Sequence, residues 1–450
     1  MRKMLLALCV SVGACMPNPA EQVATRNTPF FENSEITNPF ETPTIAPVPI
    51  SNADLVRDFL DLSFSLESGL NLPSFTRFEG PISLRLTGVT SDTLMDDLNR
   101  LLLRLEDEAG LEIYFTEAES ANITIQSLPL AEIQNVLPTA ACFVAPNVSS
   151  FDEFRRKRYS AETSWSRQKI RQKVGVFLPS DFAPQEIRDC LHEEFAQALG
   201  PLNDLYHLQQ SVFNDDNVHT VLTSFDMLIL RITYAPELRS GMTRTKVASK
   251  LGKIVSRLNP SGDAIQPQYI QPKNQLWKNE ILKMSAIHAS REARLNAAQR
   301  VFSIAEQAGW TDHRHGISLY KLARAVQPYS VNTAHDLFQR AEAIFARLPN
   351  TELHGGFVAL QLAHHHIFKG DGEAALEALR PFLSTALQYE NASLYATLRF
   401  LEAEALEMTG QAAEAQQVRL DSLSYARYGI GDEAEIRQVI RDINRLNPNN

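Results

Sequence analysis

One stretch of the sequence collects oxygen-bearing side chains at spacings that could hold a metal ion or move a proton. These side chains are Glu193, Glu194, Gln197, Asn203 and Asp204. Glu193 and Gln197 are four residues apart, so on a helix they share one face. The helix is predicted to end at Gly200, where a left-handed exit would turn the chain back. The alternative is that the helix residues form only the polar side of an amphipathic helix.

The most obvious zinc-protease pattern fails in this stretch. His192 and Glu193 would begin the motif H-E-x-x-H, but its second histidine position is Ala196, which cannot bind a metal. Starting one residue later, residues 193–203 read E-E-x-x-Q-x-x-G-x-x-N. This order of residue types resembles the metzincin pattern H-E-x-x-H-x-x-G-x-x-H.

Two downstream segments extend the resemblance to metzincins. Residues 211–215 stand where that family has its methionine turn, with Phe213 in place of methionine. Residues 222–234 look like the closing helix of the matrix-type enzymes. The resemblance covers about residues 80–240. More narrowly, the chain resembles a proteobacterial lipoprotein family catalogued only as a domain of unknown function, which shares the segment E-E-x-x-Q-x-L-G-x-x-N-D.

The resemblance implies a role for each polar position. Glu193, Gln197 and Asn203 stand at the three histidine ligands, Glu194 stands at the catalytic base, and Asp204 lies in the same cleft. A carboxylate and two amide oxygens are a harder and weaker ligand set for zinc than three imidazoles. Without zinc, no bound water is acidified to a pKa of about 7, so hydrolysis loses its nucleophile. We therefore expect a protease-like domain with no cofactor and no protease activity.

A metal-dependent hydrolase is the alternative for the same residues. Oxygen donors suit a divalent cation such as Ca²⁺ or Mn²⁺, although Ca²⁺ takes about 6–8 oxygens and three side chains rarely suffice. In that case Glu194 would act as the general base.

The elements that must position these residues follow from the hydrophobic period. The predicted strands are 82–86, 111–115, 122–125 and 174–178, and the predicted helices are 90–109, 184–199 and 224–234. This order predicts an α+β layer with helices on one sheet face, and it is also the order of the zincin-like fold.

Two cysteines fall within or near this domain. If residues 1–14 are removed and Cys15 is lipidated, Cys142 and Cys190 remain and are predicted to form one disulfide in an oxidising compartment. A zinc pair would need further ligands nearby, and none follows at the usual spacing. A catalytic Cys190 would need a facing base, but His192 lies two residues along the same helix.

Residues 273–447 read as helices almost throughout, with a period of 40 residues. The equivalent positions are Tyr320, Leu360 and Phe400; Ala323, Ala363 and Ala403; and Ser330, Gly370 and Gly410 at turns. The segments around the last two glycines resemble tetratricopeptide repeats, whose usual period is 34. The resemblance implies stacked helical hairpins that bind a protein partner. An unrelated helical bundle is the alternative.

Residues 364–366 are consecutive histidines that point in different directions, so they predict a groove lining rather than a metal site.

The N-terminal end is typical of an exported lipoprotein. Residues 1–14 combine a basic start with a short apolar run, which indicates a signal peptide. Cys15 follows small residues as in a lipobox, so the resemblance implies a lipid anchor there. Met16 in place of aspartate favours the periplasmic face of the outer membrane. A net charge of −10 argues against nucleic acid as a partner.

The sequence therefore predicts a zincin-like α+β domain followed by an all-α, tetratricopeptide-like repeat domain. The predicted boundaries are a signal peptide at 1–14, a lipidated disordered tether at 15–52, the zincin-like domain at 53–258, a linker at 259–272 and the repeats at 273–447. We expect a non-catalytic binding protein whose repeats hold a protein partner and whose membrane contact is the lipid alone. A purely structural envelope component is a further alternative.

Overall fold

The computed structural model describes residues 36–40, 47–214, 216, 218–268, 270, 274–286 and 289–448. The predicted signal peptide 1–14, the predicted lipidation at Cys15 and most of the predicted tether lie outside these residues. Ile36–Asn450 forms one compact unit. Among the described residues, no helix is both long enough and apolar enough to cross a membrane.

Five strands of the described residues form one mixed sheet in the order β2-β1-β3-β5-β4. The strands are β1 Ile82–Gly88, β2 Ile113–Phe115, β3 Ile123–Leu128, β4 Phe143–Pro146 and β5 Val174–Pro179. Neighbouring strands are parallel except for β4, which runs antiparallel to β5. Strand β5 is buried along its whole length, as expected for a strand covered on both faces.

Helices cover this sheet. They are α1 Asn52–Phe64, α2 Asp92–Ala109, α3 Leu130–Gln134, α4 Phe151–Lys157, α5 Pro184–Leu199, α6 Ser224–Thr233 and α7 Arg244–Leu258, with 3-10 turns at Ala161–Thr163, Trp165–Arg167 and Pro260–Ala264. The main core lies between the sheet and α1, α2, α5, α6 and α7. A smaller apolar cluster packs α3 and α4 against the other face.

Local signals explain where the predicted helices begin and end. Ser91 caps α2 by accepting a hydrogen bond from the Leu94 amide, and Gly110 ends it at φ 66° in the left-handed region. Thr223 and Asp226 form a reciprocal capping box at the start of α6. Helix α5 spans residues 184–199 as predicted.

A long helical region follows the sheet domain, which confirms the coarse prediction of α+β followed by all-α. Its helices are α8 Gln275–Ser285, α9 Arg291–Gln307, α10 His313–Val326, α11 Val331–Phe345, α12 Glu352–Phe368, α13 Gly372–Gln388, α14 Ala392–Met408, α15 Ala412–Asp421, α16 Leu423–Gly429 and α17 Glu433–Asn444. The predicted period matches paired helices, because Ala323, Ala363 and Ala403 are all fully buried on α10, α12 and α14. Gly370 and Gly410 adopt positive φ in the turns after α12 and α14.

The sheet domain and the helical region share a packed interface. The Arg188 guanidinium on α5 forms an ion pair with Glu390 in the turn before α14, with Nη1 and Oε2 3.0 Å apart. The Ser393 amide donates to Oε1 of Gln185 over 3.0 Å. Val218 packs against the apolar core of the helical region. Helix α5 is therefore fixed to both parts.

The sequence predicts a disordered tether at residues 15–52, and the structure differs from this prediction at residues 38–40. Asn38 and Phe40 are buried rather than solvated. Asn38 donates from Nδ2 to Oδ1 of Asp97 over 2.8 Å, and Phe40 joins a small apolar cluster with Tyr428. Tyr428 also donates its hydroxyl to Oδ2 of Asp97 over 2.6 Å. This segment therefore contacts α2 and α16 at once.

Candidate functional site

Helix α5 carries most of the predicted site and is covalently fixed at its centre. The disulfide between Cys142 and Cys190 is present, with the two Cα atoms 5.9 Å apart. It joins the segment before β4 to α5, as the sequence predicted.

The C-terminal end of α5 is capped by a buried cation. The Arg171 guanidinium donates to the backbone carbonyls of Gln197, Ala198 and Gly200, and the Tyr234 hydroxyl donates to the Leu199 carbonyl over 2.9 Å. A cation at a helix C-terminus interacts favourably with the helix dipole and satisfies the free carbonyls.

The burial of Arg171 contrasts with its place in a basic run of the sequence. The basic run that contains it, residues 167–171, suggests a solvated surface, yet Arg171 is only 4% exposed. Burial lowers the pKa of Arg171 to about 10, so the side chain remains charged at neutral pH.

Gly200 is needed for a different reason from the one predicted. Its φ of −167° is extended backbone rather than a left-handed exit. A Cβ atom at this position would lie 2.8 Å from Cγ2 of Thr233 on α6. The glycine therefore allows α6 to approach the end of α5 closely.

The carboxylate at the predicted base position is buried. Glu194 and Gln197 are each 6% exposed, while Glu193 is half-buried. Burial, followed by the nearby carboxylates of Glu67 and Asp204, raises the pKa of Glu194 well above its usual value. The buried Glu194 carboxyl is therefore harder to ionise than that of an exposed glutamate.

The segment after Gly200 packs against α1. The Asn203 side chain donates from Nδ2 to the Asp61 carbonyl over 3.0 Å, and the Leu202 amide donates to the Leu62 carbonyl over 3.1 Å. His207 contacts Asp58 on the same helix at 2.9 Å. Asn203 at the third ligand position is thus held by backbone of α1, and Asp204 beside it is also buried.

The turn at the predicted methionine-turn position is held by Asp226. This carboxylate accepts hydrogen bonds from the Ser211 hydroxyl and from the amides of Val212 and Thr223, the latter two over 3.2 and 2.7 Å. Burial raises its pKa to about 6 despite these donors. Phe213 is fully buried, and its carbonyl accepts from the Leu205 amide over 2.9 Å. The turn therefore supports the segment that follows Gly200.

These contacts do not fit a zinc site. Within the part of the chain that the structure describes, no three His, Cys, Asp or Glu side chains converge as metal ligands. His192, the one histidine on α5, accepts at Nδ1 from the Leu222 amide over 3.1 Å instead. Burial also lowers its pKa well below the usual value, so it remains a neutral, structural side chain.

The structure thus brings Glu193, Glu194 and Gln197 together on α5 and places Asp204 close to Glu194. It directs Asn203 to α1. Sequence reasoning missed Glu67, Asp61 and Tyr234, which shape the site, because each comes from an element distant in sequence whose contact leaves no local period or motif.

Residues 52–253 match the model of a family described as Protein of unknown function (DUF2927). The matched segment runs from the start of α1 into α7, and it contains α5 and the Asn203 segment. This agrees with the predicted resemblance to a domain of unknown function. No curated protein and no solved structure matches the chain.

Proposed function

We propose that this protein is a lipid-anchored binding protein of the bacterial cell envelope whose zincin-like domain no longer acts as a protease. In this proposal the domain forms a rigid body at the periplasmic face of the outer membrane. The tetratricopeptide-like repeats hold a protein partner, and the net charge of −10 makes nucleic acid an unsuitable ligand.

The observation that best supports the proposed loss of protease activity is the hydrogen bond between Asn203 and the Asp61 carbonyl. It holds the amide nitrogen of Asn203 against the backbone of α1. The ligand set gives a second reason, because a carboxylate and two amide oxygens hold zinc more weakly than three imidazoles.

An apolar groove on the helical region supports the partner-binding part of the proposal. This α11–α12 groove has a volume of about 140 Å³ and is lined by Val331, His335, His365 and Phe368, among others. Phe368 is 50% exposed and Val331 is 41% exposed. Exposed aromatic and aliphatic side chains beside a pocket are typical of protein–protein binding sites.

Photocrosslinking in cells tests the partner-binding surface. A benzophenone amino acid at position 368 is expected to capture a discrete protein, and the further change Val331→Asp is expected to abolish that product. The matched control places the same probe at Leu103, an apolar residue on α2 that is 60% exposed. Equal products from both positions, or none from position 368, would contradict a binding role and favour a purely structural component.

The protease question has its own measurement. We expect protein purified without added metal to hold no stoichiometric zinc by elemental analysis, and to cleave no peptide with or without chelator. We also expect Glu194→Gln to leave the crosslinking pattern unchanged. Loss of a cellular phenotype in Glu194→Gln, together with bound metal, would favour the hydrolase alternative.

A further inference from the structure

One short stretch of this acidic chain is strongly basic. Residues 151–173 contain eight Lys and Arg residues against three Asp and Glu residues, which gives a net charge of +5. Because the whole chain carries −10, the rest of it carries −15. A local surplus of cations on an acidic protein attracts anionic surfaces to one side of the molecule, since the other sides repel them.

The three acids of this stretch neutralise only part of its charge. They form ion pairs with Arg155, Lys157 and Lys173 at N–O distances between 2.9 and 3.4 Å, and Arg171 is buried at the end of α5. Four further cations form no ion pair with any residue that the structure describes: Arg156, Arg158, Arg167 and Lys169. All of these are exposed except Arg158, which is half-buried.

Hydrogen bonds hold the two ends of the basic stretch together. The Thr163 hydroxyl donates to the Lys157 carbonyl over 2.8 Å, and Nε2 of Gln168 donates to the Glu162 carbonyl over 2.9 Å. Nδ2 of Asn147 donates to the same Glu162 carbonyl over 2.8 Å. The segments around Lys157 and Gln168 are therefore close together and fixed to the sheet domain.

Tyr159 adds an apolar group to these cations. It is 89% exposed, more than any other large apolar residue that the structure describes. The guanidinium carbon of Arg158 lies 4.7 Å from the centroid of its ring. The preceding helix α4 is held by Phe151 and Phe154, which belong to the small apolar cluster. An exposed tyrosine among cations is typical of surfaces that lie at the headgroup level of a membrane, because its ring has an apolar body and a polar tip.

The basic stretch ends at Ile170. This residue lines a cavity to which Glu79 and Glu112 also contribute, so the charge is mixed on that side. The residues that remain form what we call the basic loop surface: Arg156, Arg158, Tyr159, Arg167 and Lys169.

We propose that the basic loop surface docks on an anionic lipid bilayer, with its cations at the lipid phosphates and the Tyr159 ring among the headgroups. The proposal rests on the lipid-anchored placement proposed above, because a tethered chain meets the membrane at a high effective concentration. The sequence predicts the lipid on Cys15 as the sole membrane contact, and the basic loop surface adds a second one. Two weak membrane signals together give a stable attachment, and the second would also orient the sheet domain on the bilayer.

Photocrosslinking to lipid tests this surface. The full chain with a benzophenone amino acid at position 159 is mixed with vesicles of phosphatidylcholine, or of phosphatidylcholine and phosphatidylglycerol in equal parts, and the lipid adduct is measured by mass spectrometry. We expect about five-fold more adduct with the anionic vesicles. The matched control has the probe at Tyr329, which is 58% exposed between α10 and α11, and should give the same low yield with both.

Substitutions separate this surface from the total charge of the protein. Arg156→Ala with Lys169→Ala should lower the adduct at position 159 on anionic vesicles about three-fold. Lys246→Ala with Lys253→Ala removes the same charge from exposed positions of α7 and should leave the adduct unchanged.

Three results would overturn the proposal: equal adduct with the two vesicle types, equal loss in the two double variants, or capture of a protein instead of lipid by the probe at position 159 in intact cells. The last result would identify a protein partner for this surface. Mass spectrometry of the mature N-terminus shows separately whether Cys15 carries lipid, so a failure of the proposed anchor is distinguishable from a failure of the surface.

Discussion

Two buried cations, Arg171 and Arg188, fix α5 at the scale of single residues. Arg171 binds the carbonyls at the C-terminal end of the helix, and Arg188 binds Glu390 of the helical region near its N-terminal end. Their side chains are 4% and 2% exposed. A buried charge is stable only where partners replace the lost water, so both positions depend on their hydrogen bonds.

Replacing Arg171 should destabilise the fold strongly. Arg171→Met removes the donors that satisfy the last carbonyls of α5, so we expect the free energy of unfolding to fall by about 3 kcal/mol. Urea denaturation followed by circular dichroism measures this change. The control Arg167→Met lies on the exposed part of the same basic run and should change stability by less than about 0.5 kcal/mol. A similar loss in both variants would refute the capping role.

The buried histidines predict a loss of stability in acid. Burial lowers the pKa of His219 to about 4 in the folded protein, whereas an unfolded histidine has a pKa of about 6.5. The unfolded state therefore binds more protons between these values, so the stability is fully present above pH 6.5 and is lost as the pH falls towards 4.

The variant His219→Gln isolates this effect, because glutamine can still donate to the Gln209 carbonyl that His219 contacts. Between pH 7.5 and pH 4.5 we expect the unchanged protein to lose about 2.5 kcal/mol more unfolding free energy than the variant. Urea titrations at both pH values measure the difference. Equal losses would show that His219 does not titrate as described.

At the scale of elements, the sequence predicts those helices and strands that have a local signal. Helices α2, α5 and α6 follow from apolar spacing and caps, and strands β1, β3 and β5 follow from their apolar runs. Strand β4 has only four residues and ends in Pro146, so it has no readable alternation. Its place in the sheet depends on pairing with β5, which is information that only the tertiary structure contains.

The same reasoning explains what was missed in the candidate site. The spacing of Glu193 and Gln197 predicted their shared helix, and the cysteine count predicted the disulfide. The position of α1 against Asn203 has no counterpart in any local pattern. The predicted site therefore differs most from the structure at Asn203, which contacts a helix that is distant in sequence.

The disulfide should stabilise the contact between α5 and the β4 edge. Cys142 and Cys190 close a loop with a sequence separation of 48 residues, for which the chain-entropy model gives about 4 kcal/mol. We expect the double variant Cys142→Ser, Cys190→Ser to lose about that much unfolding free energy by urea titration. Reductant should destabilise the unchanged protein and leave the double variant unaffected. If reductant has no effect on the unchanged protein, the disulfide contributes no stability.

At the scale of the whole molecule, the sheet domain and the helical region behave as one body. Val218 packs into the core around α12–α17, and Tyr206 packs against the core around α8–α12. His354 and Asn350 of the helical region contact Asp216 and Gln210 of the sheet domain, at 2.9 Å in each case. The interface therefore extends well beyond the ion pair of Arg188.

Arg188 should couple the stability of the two parts. Arg188→Met removes the cation of a buried ion pair and leaves the Glu390 carboxylate without it. We therefore expect the free energy of unfolding to fall by about 3 kcal/mol. Hydrogen exchange should show the same loss of protection in β5–α5 and in α14. The control Arg155→Met, on a side chain that is 62% exposed, should alter neither. Unchanged protection in α14 would mean that the two parts open independently.

The packing of residues 36–40 has a mechanical consequence. Asn38 and Phe40 are anchored simultaneously on Asp97 of α2 and on Tyr428 of α16. Any tension transmitted along the polypeptide from upstream of Ile36 would be shared between the sheet domain and the last helices. Such a force would therefore act on α2 and α16 together.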